Sequence, residues 1–257
     1  MNINTKRHFV RNSLFSAAIF ASWFAILLFC SIVLAGCKKD YISIKAYYYP
    51  EKALEQGLVY EYRSLNDSVN NLPYYWNYKY VITDTAKFLT GQYYDNNYLP
   101  MQLSSEEIVD NGALMMQYFI NSVDSTGGLH PISVNIKANN VFPFNVKDSL
   151  GIFLYHVDWK NYPDSTSTTE VIRNRRFLGF QKTTIFGKAY DCVVFGIKEE
   201  INSIADGTLS TSVEGVEYYA KDKGLVYSKK VIGDKIIKEY GLYATYPLDS
   251  LIKKANM

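Results

Sequence analysis

Histidine, cysteine and net charge are all in short supply in this chain of 257 residues, and each shortage removes a class of function. Only three histidines occur, and the two in the body, His130 and His156, are 26 positions apart, so the helical His pair of the zinc proteases is missing. His156 shares a strand face with Asp158, which reads as a surface histidine beside a carboxylate, and neither a metal nor a cofactor is expected. Of the three cysteines, Cys30 and Cys37 belong to the amino-terminal segment. Cys192 therefore has no partner in the body, and no disulfide framework is possible. It stands in the β-prone run Ala189 to Phe195 and reads as a small buried apolar residue. Of the 27 basic residues three precede position 37, as does none of the 25 acids, so the body is within one charge of neutral. Phosphate recognition needs concentrated positive charge, and no nucleic-acid partner is expected.

Signature motifs are absent too. No Gly-x-Ser-x-Gly elbow, P-loop or Gly-x-Gly-x-x-Gly turn occurs, so hydrolase, nucleotidase and dehydrogenase readings lack their residues and no enzyme is expected. Glu106 with Glu107 and Glu199 with Glu200 are adjacent acids that point to opposite faces of a strand, and they read as solvated. Lys229, Lys230, Lys235 and Lys238 read as solvent-facing or edge-protecting charge.

What is present begins with the first 37 residues. Lys6, Arg7 and Arg11 precede an apolar stretch from about Leu14 to Ala35, the layout of an export signal. At roughly 20 residues this stretch could also cross a bilayer uncut. Its end, Leu34-Ala35-Gly36-Cys37, resembles the lipobox of bacterial lipoproteins. That resemblance implies a diacylglycerol on the Cys37 sulfur, cleavage before it, and a membrane partner reached through the lipid. Lys38 follows, not the aspartate that retains some lipoproteins in the inner membrane, so an outer-membrane address is expected, facing the periplasm or the surface. The expected division is a signal over 1–36, a lipidated tether over 37–56, a β domain over 57–246 and a short helix or tail over 247–257.

The body is rich in tyrosine, with all 23 after the leader, and tyrosine suits strands with one apolar and one wet side. Short β-prone runs alternate with turn residues. Leu58 to Leu65 and Tyr74 to Thr83 read as a hairpin, with Trp76, Tyr78, Tyr80 and Ile82 on one face. Further strands are predicted over Lys87 to Tyr94, Glu106 to Val109, Ala113 to Ile120, Ile132 to Ala138, Leu150 to Trp159 and Thr169 to Phe180. Thr183 to Lys198 reads as a strand bent at Gly187. Thr211 to Ala220, Leu225 to Ile232 and Lys235 to Thr245 read as a meander, with Gly233-Asp234 as its second turn. Helices are confined to Pro50–Gln56 and Pro247–Lys254. The predicted fold is mainly β: a single strongly curved antiparallel sheet, half-barrel or barrel-like, because so many strands would leave too many edges in a flat one.

The stretch Glu217-Tyr-Tyr-Ala-Lys-Asp-Lys-Gly-Leu-Val-Tyr227 resembles the final hairpin of exported half-barrel proteins, a superfamily that includes the lipoprotein carriers LolA and LolB. This resemblance implies a curved sheet around an apolar cavity. Trp76, Tyr78, Tyr80 and Trp159 are accordingly candidate ligand-binding residues. Arg173 and Arg175 share a strand face and could clasp a carboxylate or phosphate. The expected function is a non-enzymatic envelope lipoprotein that binds a lipid or other apolar ligand. The alternative is a surface module for glycan or for an envelope protein.

Overall fold

The computed structural model describes residues 41–66, 72–147, 151–233 and 235–256. Cys37, Asp234 and the leader lie outside the described residues. Among the described residues fifteen strands follow one another. After β1 (Ile42–Ser43) come β2 (Leu58–Ser64), β3 (Tyr74–Ile82), β4 (Lys87–Tyr94), β5 (Pro100–Val109) and β6 (Gly112–Val123). Then follow β7 (Leu129–Ser133), β8 (Asn135–Pro143), β9 (Asn145–Val146), β10 (Ile152–Lys160), β11 (Thr168–Ile185) and β12 (Lys188–Ile204). The last are β13 (Thr208–Ala220), β14 (Gly224–Ile232) and β15 (Ile236–Tyr246). One α-helix, α1 (Leu248–Ala255), ends the described chain, and two single-turn 3-10 helices span Lys45–Tyr47 and Lys52–Leu54.

The large sheet runs β5-β4-β3-β2-β15-β14-β13-β12-β11-β10-β8-β6 and returns to β5, so twelve antiparallel strands close into a barrel, with β7 added on β6. Closure satisfies the edges that a flat sheet of this size would expose. The half-barrel resemblance implies an open sheet; here β6 pairs with β5 along its length and with β8 at its start, which joins the two ends.

Local chemistry explains most of the order. The predicted hairpins and the carboxy-terminal meander form as β2–β3 and β13–β14–β15. Three stretches differ from expectation. Ile132 to Ala138 is broken at Val134, whose buried side chain separates β7 from β8. The predicted bend at Gly187 is a full reversal, because Phe186 and Gly187 both adopt positive φ (46° and 77°), the backbone of a two-residue hairpin turn. The strand before the Asp110-Asn111 turn begins at Pro100, well ahead of Glu106.

Within the segment expected to be a tether, Tyr41 and Ile42 are exposed and packing begins at Ile44. Ile44, Tyr48, Tyr49 and Leu54 are buried among Phe142, Phe144, Val193 and Phe195, and β1 pairs with β9, so this segment fills one end of the barrel. Its apolar side chains have no other place to leave water. On the outer wall, α1 lays Leu251 and Leu248 over Val59, Tyr75 and Tyr246, while Ile252 stays exposed. Glu61, buried beneath the helix, accepts hydrogen bonds from Lys254 (2.9 Å), Tyr246 (2.9 Å) and Arg63 (2.7 Å).

Candidate functional site

Side chains alternate in and out along each strand, so the barrel interior is lined by every second residue. At the end filled by the amino-terminal segment these residues interlock as rings. Phe142 meets Phe195 and Tyr219 at 5.4 and 4.9 Å between centroids, and Tyr49 lies 4.2 Å from Tyr78. Above this floor the rings stop meeting, and a cavity of about 480 Å³ remains, partly open to solvent.

Its walls differ in chemistry. On β3 to β5 it is lined by Tyr74, Trp76, Tyr78, Gln102 and Ser104. Trp76 and Tyr78 lie parallel, 4° apart, at a centroid distance of 5.4 Å. Gly91 makes this possible, since a Cβ there would come within 3.0 Å of the Tyr78 ring and 3.1 Å of Trp76. On β6, β8 and β10 the lining is Met115, Ile120, Val141, Val157 and Trp159. Tyr118, which donates a 3.0 Å hydrogen bond to Gln102, joins these two walls.

Opposite, β11 to β14 present ions. Arg175 donates through Nε to Glu217 at 3.1 Å and through Nη1 to the Val141 carbonyl at 2.5 Å, and the Tyr219 hydroxyl donates to the same carboxylate at 3.0 Å. Arg173 donates through Nε to Glu199, whose other oxygen lies 3.5 Å from Lys230 Nζ. Burial opposes the charge of Glu199, but Arg173 and then Lys230 outweigh it and hold its pKa at about 2. Glu217 is likewise lowered, with burial opposed chiefly by Arg175 and Arg173. Lys230 is lowered, first by burial and then by the neighbouring Arg173.

A third acid behaves in the opposite way. Glu106, on β5 beside the floor, accepts a hydrogen bond from the Tyr48 hydroxyl. Burial pushes its pKa up to about 7, against the pull of Tyr48 and Arg175. The cavity thus sets Arg173, Arg175 and Lys230 against Glu199 and Glu217, while Glu106 is the acid whose charged form burial disfavours.

Of the residues predicted for binding, Trp76, Tyr78, Trp159, Arg173 and Arg175 all line this one cavity. Tyr80 does not: it is buried below, donating to the Tyr49 carbonyl at 3.0 Å. Cys37 lies outside the described residues. Three expectations are corrected. Glu106 and Glu199 are buried and inward, not solvated. Lys230 lines the cavity, not the solvent face, because it and Lys229 are adjacent and a strand must turn them to opposite sides. Glu217, Tyr219 and Tyr48 were not singled out in the sequence. A signal for Glu199 existed, since it continues the inward alternation Val193, Phe195, Ile197, and Glu217 likewise shares a face with Tyr219. His156 and Asp158 lie on a polar strip, His156 against Glu170 at 2.8 Å and Asp158 against Lys137 at 2.5 Å. Among the described residues no cluster of three metal-ligating side chains occurs.

Fold and site together define a closed antiparallel barrel with a plugged end and an ion-lined internal cavity. No protein-family model and no curated protein matches the chain. Two solved structures are similar to it. A candidate exported protein with a YmcC-like fold from Bacteroides fragilis NCTC 9343 aligns at a TM-score of 0.50 and 13% identity, over 77% of this chain and 98% of that one. A candidate lipoprotein from Parabacteroides distasonis ATCC 8503 aligns at a TM-score of 0.47 and 12% identity, over 76% of this chain and 95% of that one. At such identity the Bacteroides fragilis likeness is one of fold.

Proposed function

We propose that this protein is a non-catalytic envelope lipoprotein, anchored by lipid on Cys37, whose barrel binds one small amphipathic molecule. The observation that carries the reading is the cavity. A closed barrel gains stability by filling its interior, yet this one keeps about 480 Å³ open between an aromatic wall and an ionic one. That volume is in the range of small-molecule sites, roughly 300–1,000 Å³. The aromatic and aliphatic faces suit an apolar body, and the ions suit a polar head.

The address rests on Leu34 to Cys37 and on a fold shared with a candidate exported protein. Lys38 after the cysteine supports the outer membrane. Among the described residues no helix is long and apolar enough to cross a membrane. Two or three acyl chains hold a protein durably where one holds only marginally. Cys37→Ala is expected to abolish palmitate labelling and to release the chain from membranes; a variant that stays membrane-bound and uncut would indicate a transmembrane anchor. Native mass spectrometry of the full chain, released gently from membranes, is expected to reveal a co-purifying small molecule, and an empty barrel that also excludes an apolar dye would defeat the binding reading.

A further inference from the structure

The two arginines of the ionic wall are not equally satisfied. Arg175 and Glu217 are the more completely hydrogen-bonded pair, since the guanidinium reaches a carboxylate, a carbonyl and a tyrosine, and the carboxylate accepts from both Arg175 and Tyr219. Glu199, by contrast, is one carboxylate shared by two cations: Arg173 reaches it through Nε alone, and Lys230 approaches the other oxygen to 3.5 Å. Among the described residues the Arg173 Nη atoms donate no hydrogen bond to the protein, and the guanidinium carbon lies 5.8 Å from the centre of the Tyr155 ring. Arg173 and Lys230 keep 23% and 26% of their side chains exposed, and both line the cavity.

The remaining acid does not balance the account. Glu106 stands on β5, bound to Tyr48, and the cation that acts on it is Arg175. A surplus positive charge in a partly dehydrated cavity is unfavourable until an anion meets it, and guanidinium and ammonium donors bind carboxylate and phosphate oxygens more strongly than neutral ones. We infer that the ligand carries an anionic group, carboxylate or phosphate, seated between Arg173 and Lys230 with its apolar body against Trp76, Tyr78 and Tyr118. This deepens the reading of the cavity as a small-molecule site and depends on it.

The test is calorimetric titration of the full chain in lipid nanodiscs, with empty nanodiscs subtracted, against four probes of similar body: 2-naphthoate, 2-naphthyl phosphate, neutral 2-naphthylmethanol and 2-naphthylmethylammonium. At least one anion is expected to bind ten-fold or more tightly than the alcohol, and the tighter of the two assigns the headgroup. Lys230→Met, which leaves Glu199 paired with Arg173, should remove about ten-fold of that preference while alcohol binding persists. Lys230→Gln provides the same test should the Met variant fail to fold. Equal binding of alcohol and anions, tighter binding of the ammonium, or an anion preference unmoved by both Lys230 variants would overturn the proposal and leave the cavity reading standing. Binding of none of the four would overturn both.

Discussion

The two ends of the barrel interior are built from the same strands by opposite means. Along β12 the inward residues are Val193, Phe195 and Ile197, all buried in the aromatic floor, and the next inward position is Glu199. On β13 the corresponding change falls between Tyr219 and Glu217, and on β11 between Phe177 and Arg175. The floor is completed by the amino-terminal segment, whose Tyr48 and Tyr49 rings fill the space between Phe142, Tyr60 and Tyr78. Above the floor the walls carry paired ions around open volume. Burying ion pairs is seldom the most stable way to fill a core, because desolvation offsets much of their attraction. Their concentration on one wall, at one level, marks that level as shaped for recognition and the floor as shaped for stability.

Three measurements can break or sharpen this comparison. The largest effect is expected in the floor. Phe195→Ala should cost about 3–5 kcal/mol in denaturant unfolding followed by tryptophan fluorescence, as for large aromatic deletions in a packed core. A cost below about 1 kcal/mol would mean that the floor is no better packed than the cavity. In the ionic wall, Arg175→Met strands Glu217 and should also destabilise by about 3–5 kcal/mol, whereas adding Glu217→Leu should recover most of the loss, since a hydrophobic pair often replaces a buried ion pair without penalty. Failure of that recovery would make the Arg175–Glu217 pair a structural requirement.

The third effect is smaller and depends on pH. Glu106 has its pKa raised from 4.5 to about 7, so the folded protein holds this proton more tightly than the unfolded chain does. Its contribution to stability is therefore full below pH 4.5 and is lost as pH rises through about 7, by up to roughly 3 kcal/mol. Glu199 has the opposite sign: lowered to about 2, it stabilises above pH 4.5 and ceases to do so as pH falls toward 2. Glu106→Gln should match the wild type near pH 4 and exceed it at pH 8. Parallel stability curves for the two proteins between pH 4 and 8 would show that Glu106 ionises freely and that the cavity is wetter than its lining implies.

Much of this was legible in the strands themselves. The aromatic face of Trp76, Tyr78 and Tyr80, the shared face of Arg173 and Arg175, and the turns at Asp110-Asn111 and Gly224 are local patterns, set by the two-residue period of a strand and the φ preferences of a few residues. The same period turns Lys229 and Lys230 to opposite sides, which the reading of both as solvent-facing or edge-protecting charge did not apply. The period could not say which of them faces inward, because alternation defines two faces and only packing chooses between them. The role of Glu106 was hidden for this reason: a lone acid in a strand looks alike whether its face meets water or a cation four strands away, as Arg175 on β11 is from β5.

The chain's order along the sequence thus determines a mainly β fold with short hairpins, a single buried Cys192 without a disulfide, and an amino-terminal segment that ends in a lipobox-like quartet. These follow from residues close together in sequence, where backbone preference and side-chain alternation act directly. Tertiary structure alone decided that β15 pairs with β2, far away in sequence, to close the ring, that Tyr48 and Leu54 plug one end, and that Arg173, Glu199 and Lys230 meet across the four neighbouring strands β11 to β14. Closure brings together strands whose pairing carries no local signal. The free energy of burying charge depends on what stands opposite, and that is known only once the barrel has closed.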